Sequence, residues 1–203
     1  MNNVEILSVH YKTPEYIYDQ YRTIRCFYPE VNYRIIDGSD DGNSYFDDLE
    51  KKDKNFVVNR FGYNIHHGPG MDFGINSSEK EFLLILDSDV SLIKPVIDDM
   101  FNVFSGYSVG KKITINSSGY ESWQKTNDGD KNFIYEYIHP YCMLISKKEY
   151  IKHKPFIKHG APCIESMIDL HNKKLTNLLS GFEIEGYVNL RIRGTRSKWG
   201  MCL

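Results

Sequence analysis

The apolar run Phe82-Leu83-Leu84-Ile85-Leu86 is followed at once by Asp87-Ser88-Asp89. Two carboxylates flanking a serine are hard oxygen ligands of the kind that suit Mg²⁺ or Mn²⁺. A strand without polar alternation is buried on both faces, so this run belongs centrally in a sheet covered by helices. In an open α/β sheet, ligands bind beyond the carboxyl ends of the strands. The expected ligand at this strand end is therefore a metal-bound diphosphate. The competing reading is structural: Asp87 and Asp89 only begin a loop and cap the next helix, although Ser91 and Pro95 offer other helix starts.

Two further strand ends carry polar groups. Val4-Glu5-Ile6-Leu7-Ser8-Val9 leads into His10-Tyr11-Lys12-Thr13-Pro14, and Tyr33-Arg34-Ile35-Ile36 breaks into Asp37-Gly38-Ser39-Asp40. Between the second of these and Asp87 lies Asn64 to Ile75, containing Asp72-Phe73-Gly74-Ile75. In this order the stretches resemble the nucleotide-sugar-binding half of GT-A glycosyltransferases, most closely the family 2 type. There the second strand typically ends Asp-Asp-Gly-Ser-x-Asp, and a helix carrying Ala-Arg-Asn-x-Gly-Ile runs into the strand with the Asp-x-Asp. Here Ile36 replaces the leading Asp, Asp72 stands for the Asn, and Met71 occupies the place where Arg is common. The resemblance covers the first half of the chain well and the rest in outline.

The resemblance implies a single-domain α/β fold of GT-A (Rossmann-like) type, with a mostly parallel sheet flanked by helices. Residues 1–90 would form the nucleotide-sugar half, and 91–203 the acceptor half with a C-terminal lid. It implies a metal-dependent transfer, by inversion, from a nucleotide-diphosphate sugar, UDP above others, to a glycan or glycoconjugate. Asp89 would be the direct Mn²⁺ or Mg²⁺ ligand, with Asp87 reaching the ribose or assisting through water, and Ser88 between them. Asp37 would accept the imide N–H of the base, Val9, Tyr11 and Thr13 would line the base pocket, and Asp72 would add to the donor site. Glu165 or Asp169, one helical turn apart, would be the general base; the family's Glu-Asp pair is absent, so both stay open. The stretch from Asn189 to Trp199 resembles a tail that closes over the diphosphate, offering Arg193, Arg196 and Lys198, with Asn189 near the place of a metal-binding histidine. Tyr137, His139 and Tyr141 would make an acceptor platform, since sugars stack on aromatic faces; core packing is the alternative. Domains of this kind also occur as N-terminal modules of larger glycosyltransferases, including those of chlorovirus-type DNA viruses.

Composition narrows the field independently. The 203 residues suit one domain with a sizeable core, and 25 basic against 27 acidic residues leave no electrostatic footprint for nucleic acid. No apolar run approaches membrane-spanning length, and no leader pattern opens the chain. Cys26, Cys142, Cys163 and Cys202 form no framework, which favours reduced thiols and a cytoplasmic location. Other motifs fail on context. Asp37-x-Ser39-x-Asp41-Gly42 resembles a calcium loop but follows a strand and lacks the final Glu. Gly68-x-Gly70-x-x-x-Gly74 has the wrong spacing for a dinucleotide fingerprint. His66 and His67 are adjacent and cannot readily face one metal; their default is loop surface, with contact to the donor as the lesser alternative.

The elements that must position these groups alternate between strand and helix. Helices are expected at Pro14–Phe27, with Tyr16, Tyr21, Ile24 and Phe27 available for burial, and at 45–52, 70–78, 95–104 and 163–179. Further strands are expected at 56–58 and 141–146. The polar stretch 116–132 reads as a mobile loop. Two other functions keep a place: a sugar nucleotidyltransferase, which lacks its glycine-rich basic loop here, and a catalytically silent nucleotide-sugar or glycan-binding module.

Overall fold

The computed structural model describes residues 3–41, 44–119, 134–158 and 160–191; the stretch read as a mobile loop lies largely outside them. The chain runs β1 (Val4–His10), α1 (Pro14–Phe27), β2 (Asn32–Asp37), α2 (Asp47–Lys52), β3 (Phe56–Arg60), α3 (His67–Ser77), β4 (Phe82–Leu86) and β5 (Val90–Leu92). It continues with α4 (Ile97–Val103), β6 (Ser108–Ile115), β7 (Tyr135–Ser146), α5 (Lys147–Tyr150), α6 (Ile164–Asn172), a 3₁₀ turn, β8 (Leu179–Gly181) and β9 (Val188–Leu190).

Among the described residues β4 is the middle strand of a seven-stranded sheet ordered β3-β2-β1-β4-β7-β6-β8. Of these strands only β7 runs against its neighbours, so the sheet is mostly parallel, as expected. The alternation of β4 fixes both faces. Leu84 and Leu86 pack with Ile17 and Ile24 of α1 and Met100 of α4. Leu83 and Ile85 pack with Met71 and Ile75 of α3 and Met167 and Leu170 of α6. All four β4 side chains are fully buried, each contributing about 2 kcal/mol of transfer free energy.

α1 has the predicted bounds, with Pro14 in its first turn, but its fully buried face is Ile17, Gln20 and Ile24. The helix expected over 163–179 is corrected: α6 stops at Asn172. Lys174 takes a left-handed φ of 58°, and Leu175 N–H and Lys174 N–H bond back to the Leu170 and His171 carbonyls at 2.9 Å each, a Schellman ending without glycine. The residues beyond become the edge strand β8 beside β6, and Gly181 ends that strand. Similarly, α3 begins three residues before its expected start.

Candidate functional site

The carboxyl ends of β1, β2 and β4 open together on one edge of the sheet. At the end of β4 the chain turns tightly, Val90 N–H bonding the Asp87 carbonyl at 3.0 Å, so Asp87, Ser88 and Asp89 ride on a β-turn between β4 and β5. Asp87 N–H bonds the Tyr141 carbonyl at 3.0 Å. From α1, the fully buried Gln20 donates through Nε2 to the carbonyls of Asp87 (2.9 Å) and Val90 (2.6 Å). Its own carbonyl accepts from Ser8 Oγ at 2.7 Å and from the Tyr33 hydroxyl. A buried amide with both ends satisfied pins the turn to the sheet. Sequence reading passed over Gln20; its signal was a lone polar residue on the apolar stripe of α1.

α3 reaches this turn because glycines let it close on β1. A Cβ on Gly70 would meet Val9 Cγ1 at 2.8 Å, and one on Gly74 would meet Leu7 Cδ1 at 2.5 Å. The result delivers His67, the first residue of α3, to within 3.1 Å of Asp87 Oδ1. That corrects the assignment of His67 to loop surface. Adjacent His66 is the N-cap, and it turns outward and is exposed.

Asp37, 2 % exposed, accepts at Oδ1 from His10 Nδ1 and from Ser39 N–H, both at 2.9 Å. His10 Nε2 accepts from Thr13 N–H at 2.9 Å, so the hydrogen of a neutral His10 ring sits on Nδ1. Burial works against the Asp37 charge, but His10 and Ser39 outweigh it and hold its pKa below the ordinary 3.8. Thr13 is fully buried, and its hydroxyl has no hydrogen-bond partner among the described residues. Val9 lies beneath Gly70. Tyr11 and Lys12 both engage Asp40 at the mouth, the tyrosine hydroxyl at 3.4 Å.

The far wall comes from β7. Its register against β6 slips between Gly110 and Lys112, a bulge beside the end of β4 that bends the outer half of the strand away from β4. Here Tyr137, His139 and Tyr141 form an edge-to-face series, with ring centroids 6.2 and 5.1 Å apart. Tyr137 and Tyr141 are buried, at 2 % and 8 % exposure, while His139 is half-buried. Cys163, just before α6, donates its N–H to the Tyr137 hydroxyl at 3.5 Å, so the N-terminal end of α6 borders this wall.

The remaining expected residues divide. Glu165, in the first turn of α6, pairs with Lys154 (3.4 Å) and Lys158 (3.3 Å); burial would raise its pKa, but the lysines lower it. Asp169, a turn further along, is bound by His153 Nδ1 and Lys173 Nζ, each at 2.7 Å. Burial again opposes and these partners prevail, so its pKa is lowered. Asp72 sits mid-helix, accepting from Tyr150 Oη (2.6 Å) and Asn76 (3.0 Å), and the structure does not bring it to the turn. Asn189 pairs in register with Ser91 across β5 and β9, and Arg191 N–H bonds the Asp89 carbonyl at 3.1 Å. Arg193, Arg196 and Lys198 lie outside the described residues.

Among the described residues no group of three or more His, Cys, Asp or Glu is arranged to hold a metal. Two half-buried carboxylates on one turn nevertheless fit Mg²⁺ or Mn²⁺, which commonly take one or two carboxylates and complete their shell with phosphate and water.

No protein-family profile and no curated protein sequence matches this chain. Solved structures match closely in shape. Residues 1–349 of TarS from S. aureus align with a TM-score of 0.61 at 14 % identity, covering 94 % of this chain and 61 % of that one; TarS is also solved with UDP-GlcNAc and with UDP. The mannosyltransferase PcManGT from Pyrobaculum calidifontis, in complex with GDP-Man and Mn²⁺, aligns at 0.62 and 11 % identity, covering 91 % and 58 %. A protein assigned as a glucose-1-phosphate thymidylyltransferase from Bacillus anthracis aligns at 0.58 and 11 % identity, covering 97 % and 92 %. The chain thus has the GT-A fold, and it spans about three fifths of the length of the TarS domain it matches.

Proposed function

We propose that this protein is a glycosyltransferase that uses a nucleoside-diphosphate sugar and a divalent cation. The observation that carries this reading is the Asp87-Ser88-Asp89 turn, pinned by Gln20 at the end of the central strand and facing the buried Asp37 across β1. Support comes from shape: structures of this fold are solved with UDP-GlcNAc, UDP and GDP-Man.

In this reading Asp89 and Asp87 hold Mn²⁺ or Mg²⁺, which supplies neutralisation of the charge that develops on the departing diphosphate. Asp37, kept ionised by His10 and Ser39, is an acceptor for a base N–H, with Tyr11 beside the base. UDP is the first donor to test. The acceptor hydroxyl, seated along His139 and Tyr141, attacks the anomeric carbon as the bond to the diphosphate oxygen breaks, inverting the centre. Its proton passes to a carboxylate. Glu165 is the first of the two to test, because it lies in the first turn of α6 next to the Tyr137 wall; both carboxylates are ion-paired, Glu165 with Lys154 and Lys158 and Asp169 with His153 and Lys173. Arg193, Arg196 and Lys198 would add phosphate contacts.

The test is a screen of nucleotide sugars with Mn²⁺, reading release of nucleoside diphosphate and the anomer of the product. Turnover of no donor, with binding retained, would reassign the chain as a binding module. A nucleotidyltransferase is a second reading, favoured by the near full-length match to the thymidylyltransferase structure. It predicts pyrophosphate release from a nucleoside triphosphate and a sugar phosphate. The loop after β1 argues against it, having no glycine and a single lysine, Lys12, already paired to Asp40.

A further inference from the structure

The segment 147–158, comprising α5 and the strap that follows it, departs from the rest of the molecule in charge. It carries five lysines against one glutamate, while the remaining residues carry 20 basic and 26 acidic side chains. Facing it on α6, Glu165 and Asp169 are matched in number by Lys173 and Lys174, so the surface as a whole stays positive.

The strap also exposes apolar groups for which its anchoring gives no need. Tyr150 and Phe156 are buried against each other, ring centroids 4.8 Å apart, and the Tyr150 hydroxyl accepts the Phe156 N–H at 2.9 Å. The residue after each points outward: Ile151 is 60 % and Ile157 55 % exposed. A single exposed isoleucine is ordinary. Two on one short lysine-rich strap, next to exposed Lys148, Lys152 and Lys154, are the composition of a surface that meets headgroups and acyl chains together.

The strap is held firmly and leads to the cleft. Lys154 and Lys158 pair with Glu165, and Lys173 Nζ bonds the Lys152 carbonyl at 3.2 Å, fastening it to α6. At its other end the backbone at Lys158 crosses Gly68 so closely that a Cβ there would lie 2.5 Å from the Lys158 carbonyl oxygen, one residue from the His67 that contacts Asp87.

We propose that residues 147–158 dock the protein on an anionic phospholipid bilayer, with Ile151 and Ile157 entering the interface and the exposed Lys148 and Lys152 meeting phosphate. A soluble polyanion would engage the lysines and leave both isoleucines in water, so the isoleucines decide for the bilayer. The docked face adjoins the mouth of the cleft, where an acceptor carried in the membrane would be presented. No helix among the described residues is long and apolar enough to cross a membrane, and this contact needs none.

Co-sedimentation with phosphatidylcholine vesicles, with and without phosphatidylserine, tests the proposal without any sugar donor, so its failure is separate from failure of the transferase reading. The full chain is expected to pellet with the anionic vesicles only. Ile151→Asp with Ile157→Asp, and Lys148→Glu with Lys152→Glu, should each weaken partitioning roughly tenfold or more at unchanged melting temperature. If the aspartates unfold the strap, the paired serine substitutions at 151 and 157 read the same loss. Absence of pelleting overturns the proposal. So does wild-type pelleting by the isoleucine variants, with displacement by inorganic polyphosphate, which would assign the strap to a soluble polyanion.

Discussion

The imidazole Nε2 of His67 lies 3.1 Å from Oδ1 of Asp87, joining the first residue of α3 to the carboxylate that closes β4. Burial disfavours an imidazolium here, but the charge and hydrogen bond of Asp87, with the charge of Asp89 behind it, raise the His67 pKa. The acidic turn thus has a titratable partner from another element, and the two carboxylates favour its protonated form.

Asp89 remains the residue on which metal-dependent donor binding should hinge, because carboxylate and diphosphate repel without a cation between them. Asp89→Ala is expected to abolish the Mn²⁺-dependent part of nucleoside-diphosphate binding and leave the circular dichroism spectrum unchanged. Calorimetry with and without Mn²⁺ reads this, and equal wild-type affinity in both conditions would refute the metal assignment.

Gln20 should matter beyond stability. Gln20→Leu keeps the approximate volume but removes the amide's hydrogen bonds to the carbonyls of Asp87 and Val90 and the acceptor of the Ser8 and Tyr33 hydroxyls, costing roughly 1–3 kcal/mol. Denaturant unfolding measures that loss. If the turn also positions the carboxylates, nucleotide affinity in Mn²⁺ should fall about tenfold, equivalent to 1.4 kcal/mol; a variant that loses stability but keeps affinity would confine Gln20 to the fold.

The two base candidates separate by kinetics. Glu165→Gln should lower turnover by roughly 10²–10⁴ with little change in donor affinity. Asp169→Asn should chiefly lower thermal stability, since it loosens His153 and Lys173. The reverse pattern in steady-state rates would exchange their roles, and no rate effect from either would leave α6 structural.

Asp37 makes an acid-stability prediction. Its folded pKa lies below the ordinary 3.8, so its contribution is present above the unfolded value and is lost as pH falls below about 4 through the folded pKa. Asp37→Asn should therefore be less stable than the wild type near neutrality and lose less on acidification. Urea midpoints at a series of pH values from neutral to about 3 check this, and parallel curves for the two proteins would exclude it.

The local pattern of the chain was enough to identify β4, the sheet's mostly parallel order, α1 from Pro14 to Phe27 and the carboxylate turn, because unbroken apolar runs and helical periodicity are consequences of burial that the residues themselves record. Asp37 was singled out by a different signal, the likeness of Asp37-Gly38-Ser39 to the motif that ends the second strand in the family the chain resembles. What the pattern could not reveal depended on contacts between residues distant in the chain. The end of α6 at Asn172 needed a left-handed residue, Lys174, that is not glycine. The bulge that sets Tyr137, His139 and Tyr141 beside the turn exists only as a register slip against β6. Gln20 and His67 look like surface polar groups in isolation. They become part of the site because α1 lays Gln20 under the turn 67 residues away, and because Gly70 and Gly74 let α3 approach β1 closely enough to carry His67 to Asp87. Short-range periodicity encodes which face of an element is buried; only packing decides which polar side chain on that face meets which partner.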